Sequence, residues 1–425
     1  MRGHARPDRT AFVLAGGAAR GAYEVGVMQH VMEEVARDLG HDVRLDVLCG
    51  TSVGALNACG LAAFADQGRA AIRRVVDVWT KLQVSDLVRP DTRGILNMGA
   101  RLLGRGTPTD AVPVREGGLL APEGLERIVA RSIPFHRIQD NLEAHLLDAL
   151  TVSTTHIRSG RTVVHVHRRE PELPRWSHDP TTLARATRIT AQHALASAAI
   201  PILFPPVRIG RELFMDGGVR QNTPIAPALR LGATHVFAVG LSREVRGIES
   251  GGEDQKPPGA AMVLGKVLNA FLLDHVQTDY EVLTRVNRMI EDGEGAFGQD
   301  FLHQVNKSVV HRGDLPYRRV QSLVVRPSED IGRLAASYVR SGAMRQGGGL
   351  TRRLLSLLDV GEATEADLAS YLLFDGSFAK KLIDLGRADA EARRHEIAEF
   401  FGSASEDGAP RSSESGEWQV PPPVG

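Results

Sequence analysis

Cysteine, lysine and net charge are all scarce in this chain, and most of these shortages remove a class of function. Only two cysteines occur in 425 residues, Cys49 and Cys59, on either side of a glycine-rich turn. That is too few for a disulfide framework and wrongly placed for a zinc site, so both are expected to be reduced thiols of a cytoplasmic protein. The 51 basic and 51 acidic residues cancel. No net field remains to draw in nucleic acid or a strongly anionic surface. The basic residues are nearly all arginine, a bias that carries no functional argument. No apolar run reaches the roughly 18 residues of a membrane span, and the best stretch, 194–207, is broken by Pro201, Pro205 and Pro206. Any membrane contact is therefore expected to be peripheral. Residues 1–10 are basic and expected to be flexible, but the apolar run after them covers only 11–15, too short for a signal-peptide core. No internal repeat is found.

What is present is concentrated at the start. Residues 11–15 (AFVLA) form a short apolar run ending at Gly16 and Gly17, the pattern of a buried strand entering a tight turn. Tyr23, Val27, Val31 and Val35 then recur at helical spacing over 22–39, and Gly40 supplies the stop. A second strand is expected over 45–49 and a second helix over 53–65. This alternation predicts a mainly parallel α/β sheet. Further strands are expected at 149–155 and 162–167, joined as a hairpin through Ser159 and Gly160, and at 212–215, 234–240 and 320–325. Helices are expected up to Ser197 and over 224–231.

Three places carry chemistry. The first is Gly50-Thr51-Ser52-Val53-Gly54. A serine on a strand-to-helix turn projects its hydroxyl from the sheet, and flanking glycines are needed where a side chain would collide across the bend. The plainer reading is that Ser52 only caps the following helix. The second is Gly16-Gly17-Ala18-Ala19-Arg20-Gly21. A glycine-rich turn feeding a helix presents backbone N–H groups that can hold a phosphate or an acyl-transfer oxyanion. Ala18 stands where a dinucleotide fingerprint needs glycine, and Ala22-Tyr23 stand where a phosphate-binding loop needs Lys-Ser/Thr, so both nucleotide readings fail. Beside a serine elbow the oxyanion role is preferred over a purely structural turn. Arg20 reads either as an anchor of the loop or as an exposed arginine at a helix start. The third is Asp216-Gly217-Gly218, which alone would be an ordinary Asp-Gly turn. Its position at a strand end, where catalytic groups of open α/β sheets gather, changes that reading in the company of the other two.

With these motifs in this order, the chain resembles the patatin-like phospholipases, whose domain opens on a Gly-Gly-Gly-x-Arg-Gly loop and carries a G-x-S-x-G serine and an Asp-Gly-Gly or Asp-Gly-Ala acid. The stretches ASAAIPILFPP (196–206) and DGGVRQNTP (216–224) add to the likeness, which extends over about residues 12–241. The resemblance implies a three-layer α/β/α sandwich with a mainly parallel sheet, no cofactor and no metal. It also implies a Ser52–Asp216 dyad without histidine, an oxyanion hole at Gly16, Gly17 and Ala18, and supporting roles for Arg20, Gly21, Gly50, Gly54, Gly217 and Gly218. Ala18 departs from the family's third glycine, so a positive φ there would be strained. The expected organisation is a catalytic domain over 11–245 with a cap or lid at 69–143, a largely helical extension over 246–401, and a disordered tail over 402–425 rich in Ser, Glu, Gly and Pro.

The implied activity is hydrolysis of carboxylic esters of lipids, phospholipid or lysophospholipid among them, through an acyl-enzyme. Transfer to another alcohol, or a lipid-binding or scaffold protein on the same fold with weak or no catalysis, are the alternatives. A Ser-His-Asp triad in the usual hydrolase order would need His235, which stands at the wrong end of its strand. His165 and His167 share one strand face without a third ligand and are expected to face solvent. The apolar stretches 95–103 and 260–273 are read as core ahead of membrane-inserting surface.

Overall fold

The computed structural model describes residues 8–87, 120–243 apart from 171, 175 and 177–179, then 265–267, 269, 275–341 apart from 313, and 367–406. Its frame is one sheet of nine strands among the described residues: β1 Thr10–Leu14, β2 Val47–Thr51, β3 Ala149–His156, β4 Thr162–Arg168, β5 Thr182–Ala186, β6 Val207–Ile209, β7 Glu212–Asp216, β8 His235–Val239 and β9 Gln321–Val325. The order is β5-β4-β3-β2-β1-β8-β9, with β7 on β3 and β6 on β7. The pairs β1/β2, β1/β8, β2/β3, β4/β5 and β8/β9 are parallel, whereas β3/β4, β3/β7 and β6/β7 are antiparallel. The sheet is thus mainly parallel, as expected.

The central strands are apolar on both faces because both faces are covered. Phe12, Leu14, Leu48, Phe237, Val239 and Val325 point into one core. Their neighbours Ala11, Val13, Val47, Val236 and Ala238 point into another. The first is roofed by the helices Ala22–His30, Val53–Ala63, Ala70–Lys81, Ile331–Arg340 and Gly376–Ala392, which bury Val27, Leu61, Ile72, Ala335 and Leu382. The second lies beneath Ile225–Arg230 and His275–Phe297, through Ile225, Ala228 and Leu283. Helix layer, sheet, helix layer is the three-layer sandwich.

The expected helix over 22–39 forms as Ala22–His30, a π-helical turn Val31–Val35 and Ala36–Leu39, ended by Gly40 at φ +75°. Tyr23, Val27, Val31 and Val35 are all fully buried, as their spacing requires. The helix also buries its far side, against Gly376–Ala392. A Cβ on Gly26 would lie 2.1 Å from the Ile383 carbonyl oxygen, and one on Gly386 2.2 Å from that of Tyr23. Two glycines let the backbones touch. Phe400 and Phe401, on the helix Arg394–Glu406, pack against Phe237 and Phe12 at ring distances of 6.0 and 5.5 Å. The region after residue 246 therefore completes the sheet and its roof: β9 extends the edge, and these helices close the first core.

Several boundaries differ from expectation. β2 starts at Val47 and runs through Gly50 and Thr51, so the strand reaches the serine itself. β5 and β6 have no apolar signature in the sequence, since both are short and half-exposed. In the suspected cap, Glu123–Ser132 and His136–Glu143 bury Val129, Ile138 and Leu142 in the first core. Arg394–Glu406 runs past residue 402, where the tail was expected to begin. The stretch 95–103 lies outside the described residues, as does 260–273 apart from 265–267 and 269, and 407–425. Among the described residues no helix is long and apolar enough to cross a membrane.

Candidate active site

The register of β3 brings the expected serine and aspartate together. β2 ends with Thr51 beside Ser153 of β3, and β7, running the other way along the same edge, ends with Asp216 beside Thr154. The two strands meet end to end. Ser52, the next residue after β2, donates from Oγ to Asp216 Oδ2 at 2.6 Å.

Ser52 holds φ +54° and ψ −125°, a conformation costing about 1–3 kcal/mol that persists only where its surroundings impose it. Those surroundings are the close approaches of the elbow. A Cβ on Gly54 would sit 2.3 Å from the Leu14 carbonyl oxygen, and one on Gly50 2.5 Å from Ala55 Cα. Ser52 N–H donates to Ser197 Oγ at 2.8 Å, and Ser197 donates in turn to the Ser153 carbonyl at 2.6 Å. Ser52 does not cap its helix with its side chain, because the hydroxyl is engaged by the acid.

Asp216 is fixed from every side. Its N–H donates to the Ala199 carbonyl at 2.9 Å, its carbonyl accepts from Thr155 Oγ1 at 2.9 Å, and Oδ1 accepts the Gly218 N–H at 2.7 Å. Gly217 must be glycine, since a Cβ there would stand 2.3 Å from the Ser153 carbonyl oxygen. Ser52 is 1% exposed and Asp216 0%. Burial drives the Asp216 carboxyl up to about 7, against the opposing pull of the hydrogen bonds from Ser52 and Gly218. The result is a carboxylate poised to take or hold a proton near neutrality.

The loop after β1 borders this pair. Gly16 donates its N–H to the Asn222 carbonyl at 3.2 Å, and Asn222 Nδ2 donates to the Gly16 carbonyl at 3.1 Å. Gly16 thus shapes the loop, and its N–H is engaged by Asn222 in this structure. The N–H groups of Gly17 and Ala18 have no acceptor among the described residues. Ala18 holds φ +50°, the strained conformation foreseen for an alanine in this position. At the far end of the loop, the Gly21 carbonyl accepts from Asn57 Nδ2 at 3.1 Å. Asn57 Nδ2 also donates to Glu24 at 2.9 Å, and its Oδ1 accepts from Trp79 Nε1 at 2.9 Å. Burial raises the Glu24 carboxyl well above the usual range.

The rival groups lie elsewhere. His235 pairs in register with Thr10, at the start of its strand, four residues and roughly 13 Å from the strand ends that carry the site. His165 and His167 are buried and do not face solvent as expected: His165 Nε2 meets Thr154 Oγ1 at 3.0 Å and His167 Nε2 meets Gln139 Oε1 at 2.8 Å. Helices cover β4 on that face, a tertiary fact that strand periodicity does not contain. Among the described residues no group of three or more His, Cys, Asp or Glu side chains is arranged to hold a metal ion. Cys49 and Cys59 are buried free thiols, and burial raises Cys49 to about 12.

The site residues that sequence reasoning left unnamed are Ser197, Asn222, Asn57 and Glu24. The first two stand inside the stretches 196–206 and 216–224, whose likeness to the family was the available signal.

The family model of the patatin-like phospholipases matches residues 12–229, which include the loop, the elbow and the aspartate. The chain belongs to that family. A curated patatin-like relative, the cGAMP-activated phospholipase of Pseudomonas aeruginosa, is 23% identical over 219 residues, 51% of this chain and 55% of that one. This patatin-like chain therefore spans about half the length of the curated relative it matches. Among solved structures it is similar to human GIVD cytosolic phospholipase A2 bound to methyl gamma-linolenyl fluorophosphonate, with TM-score 0.42 and 13% identity over 94% of this chain and 60% of that one. It is also similar to VipD from Legionella pneumophila, with TM-score 0.30 and 16% identity over 75% and 61% of the two chains.

Proposed function

We propose that this protein is a serine lipid acyl hydrolase in which Ser52 is the nucleophile and Asp216 its only base. The observation that carries the reading is the 2.6 Å hydrogen bond from Ser52 Oγ to a fully buried carboxyl raised to about 7. Serine at neutral pH attacks an ester only if its proton leaves as the bond forms. Asp216 Oδ2 accepts that proton while Oγ bonds to the ester carbonyl carbon. The carbonyl oxygen becomes an oxyanion, stabilised by the N–H groups of Gly17 and Ala18 and by the N-terminus of Val53–Ala63. The tetrahedral intermediate collapses, Asp216 returns the proton to the departing alcohol, and an acyl-Ser52 ester remains. Water then attacks that ester with Asp216 as base, releasing the fatty acid and restoring the serine.

A carboxyl of ordinary acidity would be a poor base for this step. Burial supplies the missing basicity, and fixing Oδ1 on Gly218 leaves Oδ2 for the serine. Family membership supports esters of lipid acyl chains as the substrate class, and the reading places the enzyme in the cytoplasm, in peripheral contact with the lipid surface. The test is labelling by a serine-directed fluorophosphonate, with hydrolysis of a short-chain nitrophenyl ester as the second readout. Wild type should react and turn over, and Ser52→Ala should lose both while keeping its circular dichroism. Labelling that persists in Ser52→Ala would move the nucleophile elsewhere.

A further inference from the structure

The loop that carries Gly17 and Ala18 is gripped by a part of the chain far outside the family match. Arg20, in the 3-10 turn Ala18–Gly21, is only 3% exposed. Its Nε donates to Ser370 Oγ at 2.7 Å and its Nη2 to Asn269 Oδ1 at 3.3 Å. The guanidinium lies 4.3 Å from the centre of the Tyr371 ring, and Tyr371 donates its hydroxyl proton to the same Asn269 Oδ1 at 2.6 Å. Ser370 and Tyr371 are fully buried on the helix Asp367–Leu372. A guanidinium is planar and forked, so one acceptor at Nε, one at Nη2 and a ring against its face leave it little freedom to turn.

This grip falls two residues from a strained backbone. Ala18 at φ +50° would relax to negative φ if released, and relaxation would swing the peptide N–H groups on either side of it. Strain of this kind survives only where several contacts hold it. Asn222 holds the loop at Gly16 and Asn57 holds it at Gly21. Arg20 stands between them on the Ala18 side, with its N–H closing the turn onto the Gly17 carbonyl at 3.1 Å.

We infer that Ser370, Tyr371 and Asn269 are positioning residues for ester hydrolysis, acting through Arg20 to keep the Gly17 and Ala18 N–H groups aimed at the reacting carbonyl. The C-terminal region is then a working part of the acyl-transfer site, in addition to a roof over the core. The inference rests on the catalytic reading proposed above, so its test has one readout that needs catalysis and one that does not.

Ser370→Ala removes a single acceptor with little change in volume. It should lower kcat about tenfold, less than the hundredfold or more for outright loss of one oxyanion donor, while KM changes less than twofold. Ser370→Thr, which keeps the acceptor oxygen, should restore kcat. Arg20→Lys should lose as much as Ser370→Ala, because an ammonium cannot make the forked and stacked contacts, and the double variant should lose little more. Hydrogen exchange followed by mass spectrometry should show faster exchange over residues 17–21 in Ser370→Ala, with 376–392 unchanged. Tyr371→Phe, which keeps the ring and loses only the hydroxyl, serves if Ser370→Ala does not fold. Wild-type kcat together with unchanged exchange over 17–21 in these variants would overturn the inference. A wild type inert to fluorophosphonate whose loop exchange still responds to Ser370→Ala would defeat the catalytic reading and leave the clamp standing.

Discussion

Two groups of buried ionisable side chains sit on the same sheet, and they are built on opposite principles. At the end of β2, Ser52 and Asp216 share a short hydrogen bond amid strained backbone at Ser52 and Ala18, with N–H groups of the neighbouring loop left without acceptors among the described residues. On and beside β4, His165, His167 and His193 are also buried, and none of them has a positive φ. His167 Nδ1 accepts the Ile189 N–H at 3.3 Å while Nε2 meets Gln139, and His193 Nδ1 accepts the Thr190 N–H at 3.2 Å in a capping box. Burial lowers these three imidazoles to about 3, 4 and 4, so all are neutral. Burial alone therefore does not mark a reactive site. What separates the first group is backbone strain, N–H groups without acceptors among the described residues, and a carboxyl whose proton affinity has been moved towards neutrality.

Substitution should divide the two groups most sharply. Asp216→Asn keeps the shape and removes the base, and is expected to reduce kcat/KM by about a thousandfold or more, as is Ser52→Ala. His193→Gln and His235→Ala should stay within a few-fold of wild type. An Asp216→Asn enzyme with substantial turnover beside a folded, inactive histidine variant would erase the distinction and restore a triad.

The pH profiles should diverge as well. With Asp216 as the proposed base, hydrolysis requires it ionised, so kcat/KM should rise with pH through an apparent value near 7. Stability follows each group's own sign. The Asp216 carboxyl is raised on folding, so its contribution is full below about 4, the unfolded value, and is lost as pH rises towards 7. The histidines are depressed on folding, so theirs is present above about 6.5 and is lost as pH falls towards 4 and 3. Thermal melts across pH should show Asp216→Asn to be more stable than wild type at pH 8 and nearly equal at pH 4. A variant less stable than wild type at pH 8 would show that the buried carboxylate is not a destabilising charge.

Packing gives a smaller effect. Gly386→Ala would press a methyl onto the Tyr23 carbonyl and should destabilise by about 1–3 kcal/mol in urea unfolding, with the labelling rate of Ser52 changed less. An equal loss in both would tie the roof helix to the site as closely as Arg20 is tied. The smallest change is expected for Ala18→Gly. It removes the cost of a positive φ, about 1–2 kcal/mol, but restores unfolded-chain entropy, so the net gain should be under about 1 kcal/mol. A clear loss of stability would mean that the Ala18 methyl has a packing role.

Much of the site was legible because its turns press backbone against backbone, where only glycine fits. An elbow needs glycine where Leu14 crosses Gly54, and an Asp-Gly-Gly corner needs glycine where Ser153 crosses Gly217, so the residue types announce the turns. The partners Ser197 and Asn222 were not legible by type, since a serine or an asparagine suits many turns. The edge strands β5 and β6 gave too little periodicity to be seen, being half-exposed or only three residues long.

The amino-acid sequence by itself determined the alternation of strand and helix, the mainly parallel sheet, the sharp turns and the kinds of group they carry, because propensity and burial pattern act over a few residues and glycine marks where backbone must pass close. Tertiary structure alone decided which of those groups meet. Asp216 reaches Ser52 because β7 continues the line of β2 along β3, the histidines of β4 are buried because His136–Glu143 and Ala191–Ser197 place Gln139 and His193 against them, and Arg20 is gripped because Asp367–Leu372 packs on its turn. Each of these contacts joins residues far apart in the chain, and their free energy exists only once the whole sheet and both helix layers have closed around them.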